Sequence, residues 1–74
     1  MSFCYDKLKG KIKEKFGTQD SFAKAMGISR TTLNLKLNNM SEFTQKEMIK
    51  AMEVLNLSGS EIRDYFFYLD SSEN

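Results

Sequence analysis

The stretch of this 74-residue chain richest in usable chemistry runs from Gln19 to Leu33, reading Gln-Asp-Ser-Phe-Ala-Lys-Ala-Met-Gly-Ile-Ser-Arg-Thr-Thr-Leu, and continues Asn34-Leu35-Lys36-Leu37-Asn38-Asn39. Arg30 has the reach and the planar fork to bind guanine O6 and N7, a pairing worth about 1–3 kcal/mol of base discrimination. Thr31 and Asn34 can hydrogen-bond to base edges, Asn best to adenine, and Leu35 can meet a thymine methyl group. Each also has a plainer reading. Arg30 can touch only phosphate or a carboxylate such as Asp20, exposed polar side chains need no ligand, and a surface leucine can be solitary or face another protein chain.

Other chemistries find little to work with. The chain has no His and a single Cys4, so it offers no internal disulfide, no metal-ligand spacing and no nucleophile paired with a base. No glycine-rich phosphate loop occurs, so catalysis, a metal, a cofactor and a small-molecule ligand are not expected. No apolar run approaches the roughly 20 residues that span a bilayer, and Met1 to Gly10 lacks the apolar stretch of a secretory signal. A reducing cytoplasm is the expected compartment. Single-stranded RNA readers usually present aromatics on a sheet, and no strand pattern is evident.

The elements that must position these residues read as helices only, since apolar residues recur at three- and four-residue steps and the chain has no Pro. A first helix, about Tyr5 to Phe16, carries the stripe Tyr5, Leu8, Ile12 and Phe16 and is closed by Gly17. Gly10 in its middle costs about 1 kcal/mol relative to Ala, which predicts a neighbouring helix close by. Thr18 caps a second helix, about Gln19 to Met26, and Ser29 caps a third, Arg30 to about Asn38, with Leu33 and Leu37 inward. The boxes Thr44-Gln-Lys-Glu47 and Ser58-Gly-Ser-Glu61 open a fourth and a fifth helix, the latter about 59–69 with Ile62, Tyr65, Phe66 and Leu69; Asp70 to Asn74 should fray.

Ala23 is small where the second helix must approach the third, and Gly27 permits the positive φ of a tight reversal. At these positions the sequence resembles the lambda-repressor-like helix-turn-helix family of Cro- and C1-type (XRE) regulators. Leu33-Asn-Leu-Lys-Leu37-Asn-Asn followed by Glu42-Phe-Thr-Gln resembles its short Cro-like members from phages and prophages. The likeness runs from Tyr5 to Phe67. It implies an all-α, compact five-helix bundle forming one domain, with the helix-turn-helix at about 18–38, acting in the cytoplasm as a transcriptional regulator on a palindromic operator. Members often carry an apolar residue where Lys36 stands.

With Leu33 and Leu37 inward, about 100° per residue places Arg30, Thr31, Asn34 and Leu35 on or near the opposite, outward side, which a major groove would see. Thr18 and Gln19, at a helix N-terminus with unpaired N–H groups, are placed to grip phosphate. Their matching Gln does so in the resembled family. Ser29, Lys36, Asn38, Asn39 and Gln45 are further phosphate candidates around the third helix, with capping and solvation as their plainer roles.

Net charge is only +1, yet it is unevenly spread. Residues 1–39 carry eight basic and three acidic side chains, the remainder three basic and seven acidic, so the half holding the candidate face is the positive one. The run Tyr65-Phe-Phe-Tyr-Leu69 is too apolar for one helix to bury, which predicts a homodimer interface through Tyr65, Phe67 and Tyr68. Such a dimer would set two third helices about 34 Å apart on double-stranded DNA. The competing function is a protein-interaction module of the same fold that binds another regulator or a toxin through Leu35 or the aromatic tail.

Overall fold

Short side-chain hydroxyls start three of the five helices, and residues of positive φ stop four. The computed structural model describes residues 3–69, which form α1 (Asp6–Phe16), α2 (Gln19–Met26), α3 (Arg30–Leu37), α4 (Gln45–Val54) and α5 (Ile62–Phe66), the last preceded by a single 3-10 turn (Gly59–Glu61). Thr18, Ser29 and Thr44 stand in extended conformation, and each side-chain oxygen accepts the N–H three residues on, from Ser21, Thr32 and Glu47. These bonds satisfy donors that a helix start leaves unpaired, each contributing about 1 kcal/mol.

Three helices end alike. After α2, Gly27 (φ 77°) lets the Ile28 N–H reach back to the Ala23 carbonyl. After α3 and α4, Asn39 (φ 62°) and Asn56 (φ 57°) let Met40 bond to Leu35 and Leu57 to Met52 in the same six-to-one pattern. Only Gly, or Asn with its short polar side chain, takes that backbone region cheaply. The apolar residue after the turn packs down in two cases, Ile28 and Leu57, whereas Met40 stays 75% exposed.

The core is formed by the periodic residues. Tyr5, Leu8 and Ile12 of α1 and its approach meet Phe22, Ala23 and Met26 of α2, Leu33 and Leu37 of α3, Ala51 and Met52 of α4, and Tyr65 and Phe66 of α5. Phe43, from the loop before α4, stacks edge-on against Tyr5 at 5.4 Å and Phe66 at 5.1 Å between ring centroids. Such tilted aromatic contacts add about 0.5–1.5 kcal/mol each beyond area burial.

The architecture is the expected all-helical bundle of five helices, with no strand among the described residues. The last helix is shorter than expected: it stops at Phe66, and the chain straightens so that the Cys4 N–H donates to the Tyr68 carbonyl at 2.7 Å and Phe3 bridges Leu69. That antiparallel contact takes up backbone groups a longer helix would have used internally. Leu69 consequently lies 47% exposed instead of closing the core. The expected fraying of Asp70 to Asn74 falls outside the described residues.

Gly10 is also corrected. A Cβ built there meets nothing within 4 Å, so no helix presses on it and its only consequence is the propensity penalty. Gly10→Ala should therefore raise stability by about 0.5–1 kcal/mol, read as a higher denaturation midpoint with an unchanged m-value.

Candidate nucleic-acid interface

The α2–α3 pair is joined by Gly27-Ile28-Ser29, and Phe22, Ala23, Met26, Leu33 and Leu37 are buried between the pair and the rest of the molecule. Burying Leu33 and Leu37 leaves the other side of α3 outward. Arg30 and Thr31 are exposed, Asn34 is half-buried, and Leu35 is 45% exposed. The predicted outward row is therefore brought together on one face.

Two members of that row are bonded. The Arg30 guanidinium meets the Asp20 carboxylate of α2, with Nη1 3.2 Å from Oδ1, and its Nε donates to Asn34 Oδ1 at 3.3 Å. The carboxylate contact that was the plainer reading of Arg30 is thus present, and it lies on the outer face.

Around the row, Thr18 and Ser29 are exposed and occupied as caps, while Gln19 is half-buried at the first position of α2. Lys9 and Lys13 of α1 line one shallow depression together with Gly17, Thr18 and Gln19. Two cations thus adjoin a helix N-terminus, whose N–H groups and dipole also attract anions. Sequence reasoning counted these lysines only in the charge of the N-terminal half. The signal it lacked is the angle at which α2 leaves Gly17, which only the fold provides. Gln45 is exposed at the start of α4, and the Asn38 amide donates to the Asn34 carbonyl at 2.8 Å, leaving it at the rim.

Three expected site residues lie elsewhere. Lys36 is 5% exposed; its Nζ pairs with Glu47 Oε1 at 2.8 Å, donates to the Glu42 carbonyl at 2.8 Å and lies 5.9 Å from the Phe43 ring centroid. It is not available to a phosphate. Its position three residues after Leu33 was the signal, since that offset places it on the inward side. Asn39 spends both amide groups on Phe3, accepting its N–H at 3.0 Å and donating to its carbonyl at 2.9 Å, so it clasps the N-terminal segment. Tyr65, expected at a dimer interface, is buried in the core, with the Lys7 ammonium 5.3 Å from its ring centroid.

A second, apolar surface lies on α4 and the C-terminal segment. Ile49, Phe67, Tyr68 and Leu69 are exposed, and Ile49 and Phe67 line one groove with Gln45, Met48 and Ile62. Sequence reasoning anticipated Phe67 and Tyr68 but not Ile49. Among the described residues no cluster of metal-ligating side chains occurs, and no helix is long and apolar enough to cross a membrane.

Glu47 serves two helices, because Oε1 also accepts the Thr44 N–H at 2.8 Å while its own N–H is capped by Thr44. Burial pushes its carboxyl upward, but the hydrogen bonds from Lys36 and from the Thr44 backbone and the Lys36 charge outweigh it and hold the group below the ordinary value of 4.5. A carboxylate depressed on folding adds stability that is complete above its unfolded value and is lost as pH falls through the folded one.

The family described as Protein of unknown function (DUF739) matches residues 1–69, and the chain belongs to that family. No curated protein matches the chain. Among solved structures, the solution structure of the modulator of repression (MOR) of the temperate bacteriophage TP901-1 from Lactococcus lactis is similar, with 49% sequence identity, a TM-score of 0.79 and 90% of each chain covered.

The Lys36–Glu47 pair gives a direct test. Lys36→Ala should cost about 2–4 kcal/mol because it strands Glu47, whereas Lys36→Met combined with Glu47→Gln, which fills the space and leaves no unpaired charge, should cost less than about half as much. Acidification from about pH 5 to pH 3 should lower the melting temperature of the wild type more than that of Glu47→Gln, which has no carboxyl to protonate there.

Proposed function

We propose that this chain is a small phage regulator that acts on repression by binding duplex DNA, with the outer face of α3 in the major groove. The observation that carries the reading is the outward row of exposed Arg30, Thr31 and Leu35 with half-buried Asn34, on a helix whose opposite side is buried. A rigid helix with hydrogen-bonding side chains on its free face is what groove readout requires. Similarity to the modulator of repression of a temperate phage supports a place in such a circuit, and the α2–α3 geometry supports the Cro-like, helix-turn-helix assignment.

In this reading Thr18, Gln19, Ser29, Asn38 and Gln45 position the backbone, helped by Lys9 and Lys13, while buried Lys36 and exposed Asn39 at the helix end hold α3 in place. The whole chain works as one binding unit in the host cytoplasm, by occupancy and not by catalysis. Two copies meet a palindromic operator through Phe67 and Tyr68, without Tyr65.

A second reading is favoured by a different surface. The groove of Gln45, Met48, Ile49, Ile62 and Phe67 is apolar and exposed, as in a module that binds another regulator. The two readings share Gln45 and Phe67, but only the first needs Arg30 and only the second needs Ile49, which makes them separable.

Arg30→Ala should cost about 1–3 kcal/mol on a selected operator and far less on random duplex, measured by titration at fixed salt. Equal loss on both would make Arg30 a phosphate contact. If the wild type shows no salt-dependent retention on any duplex while Ile49→Asp abolishes binding to a repressor protein, the interaction module is the correct reading.

A further inference from the structure

We infer that Asp20 is a positioning residue for Arg30: together with Asn34 it holds the guanidinium in one orientation on the outer face of α3, which makes that face selective for a guanine edge over phosphate. The inference rests on the DNA reading above and deepens it by naming the base.

The geometry is a two-sided tether. Asp20 belongs to α2 and meets Nη1 across the gap between helices, while Asn34, one turn along α3, accepts from Nε. Of the five guanidinium N–H groups only that of Nε is spent on a hydrogen bond, the Asp20 contact being an ion pair, so the N–H groups of the two Nη atoms are left for a ligand. An untethered arginine on a helix surface samples many rotamers and loses that freedom on binding; one held from two sides has less to lose. Arg30 and Asp20 are both exposed in the free protein, where such a pair contributes little to folding. In a closed groove, with water displaced, the same pair strengthens.

The tether also decides what the face can read. Arg30 Nε is a donor, so the Asn34 atom it meets must be the carbonyl oxygen, and the Asn34 NH2 is the group not spent on Arg30. A bidentate contact with adenine uses both the oxygen and the NH2 of an asparagine, so the adenine preference expected of Asn34 from its type alone is weakened. Arg30 and Asn34 together offer donors. Guanine presents two acceptors, N7 and O6, in the major groove; adenine mixes an acceptor with a donor, and cytosine offers a donor.

The Asp20 charge points the same way. A carboxylate beside the reading arginine repels backbone phosphates on every duplex, whatever the sequence, and neutralises the attraction of Arg30 for them. Its cost is uniform, and its benefit falls only on the correct base.

The test is a selection from random duplexes with the wild-type protein, followed by titration of the selected and a scrambled duplex with wild type, Asp20→Asn, Arg30→Ala and the double variant. The expected motif places a guanine in each half-site. Asp20→Asn should bind scrambled DNA as tightly as wild type or up to about 5-fold tighter, and should lose about 10-fold in the ratio of selected to scrambled affinity. Arg30→Ala should then remove little further selectivity in the Asp20→Asn background, because the two residues act as a unit. A merely structural Asp20 would weaken both duplexes alike or leave the ratio unchanged, and either result overturns the inference while leaving the DNA reading intact. A selected motif without guanine does the same. Failure of the wild type to retain any duplex overturns the DNA reading and this inference with it.

Discussion

Lys36 leaves α3 on the same side as Leu33 and Leu37, and its ammonium bridges the Glu47 carboxylate and the Glu42 carbonyl under the ring of Phe43. That one buried cation joins the end of α3, the connecting loop and the capping box of α4. Rotation of α3 about its axis is therefore constrained by a third inward contact besides the two leucines, and the outward row follows from it. A buried ion pair gains little net stability over an apolar substitute of equal volume, but it tolerates few geometries. Here the geometry matters most, because a rotation by two residues, about 200°, would turn Leu35 toward the core and Leu33 outward.

A comparable constraint acts at the termini. Asn39, held left-handed at the end of α3, clasps Phe3 with both amide groups, and Phe3 and Cys4 in turn pair with Leu69 and Tyr68. The end of the candidate reading helix and the two ends of the described chain are thus tied together. Because the C-terminal segment pairs by its backbone instead of continuing as helix, Phe67, Tyr68 and Leu69 are spread over the surface and the apolar groove beside Ile49 stays open. The molecule consequently presents two dissimilar faces, one polar with flanking lysines and one apolar. The two readings of function draw on these two faces of the same fold.

Much of this was legible along the chain. Apolar spacing located five helices, and the hydroxyl caps at Thr18, Ser29 and Thr44 and the stops at Gly17 and Gly27 marked their limits, since capping and positive φ are satisfied by the residue itself and its neighbours within one turn. The inward assignment of Leu33 and Leu37, and with it the outward place of Thr31, Asn34 and Leu35, followed from helical periodicity; Arg30, three residues before Leu33, is exposed because it stands at the first position of α3. The composition that argued against metal and cofactor chemistry is likewise a property of the chain and not of its folding.

What tertiary structure decided concerns groups whose partners lie far away in sequence or across a helix gap. Lys36 and Asn39 have the chemistry of phosphate ligands, but the fold turned one onto Glu47 and the other onto Phe3, and a type of side chain does not reveal which of several satisfying partners will come within reach. Whether Lys9 and Lys13 adjoin the start of α2, whether Asp20 reaches Arg30, and whether the last aromatics continue a helix or pair with the N-terminal segment all depend on interhelical angles. Those angles are set by the summed packing of the core, a quantity that no local run of residues contains.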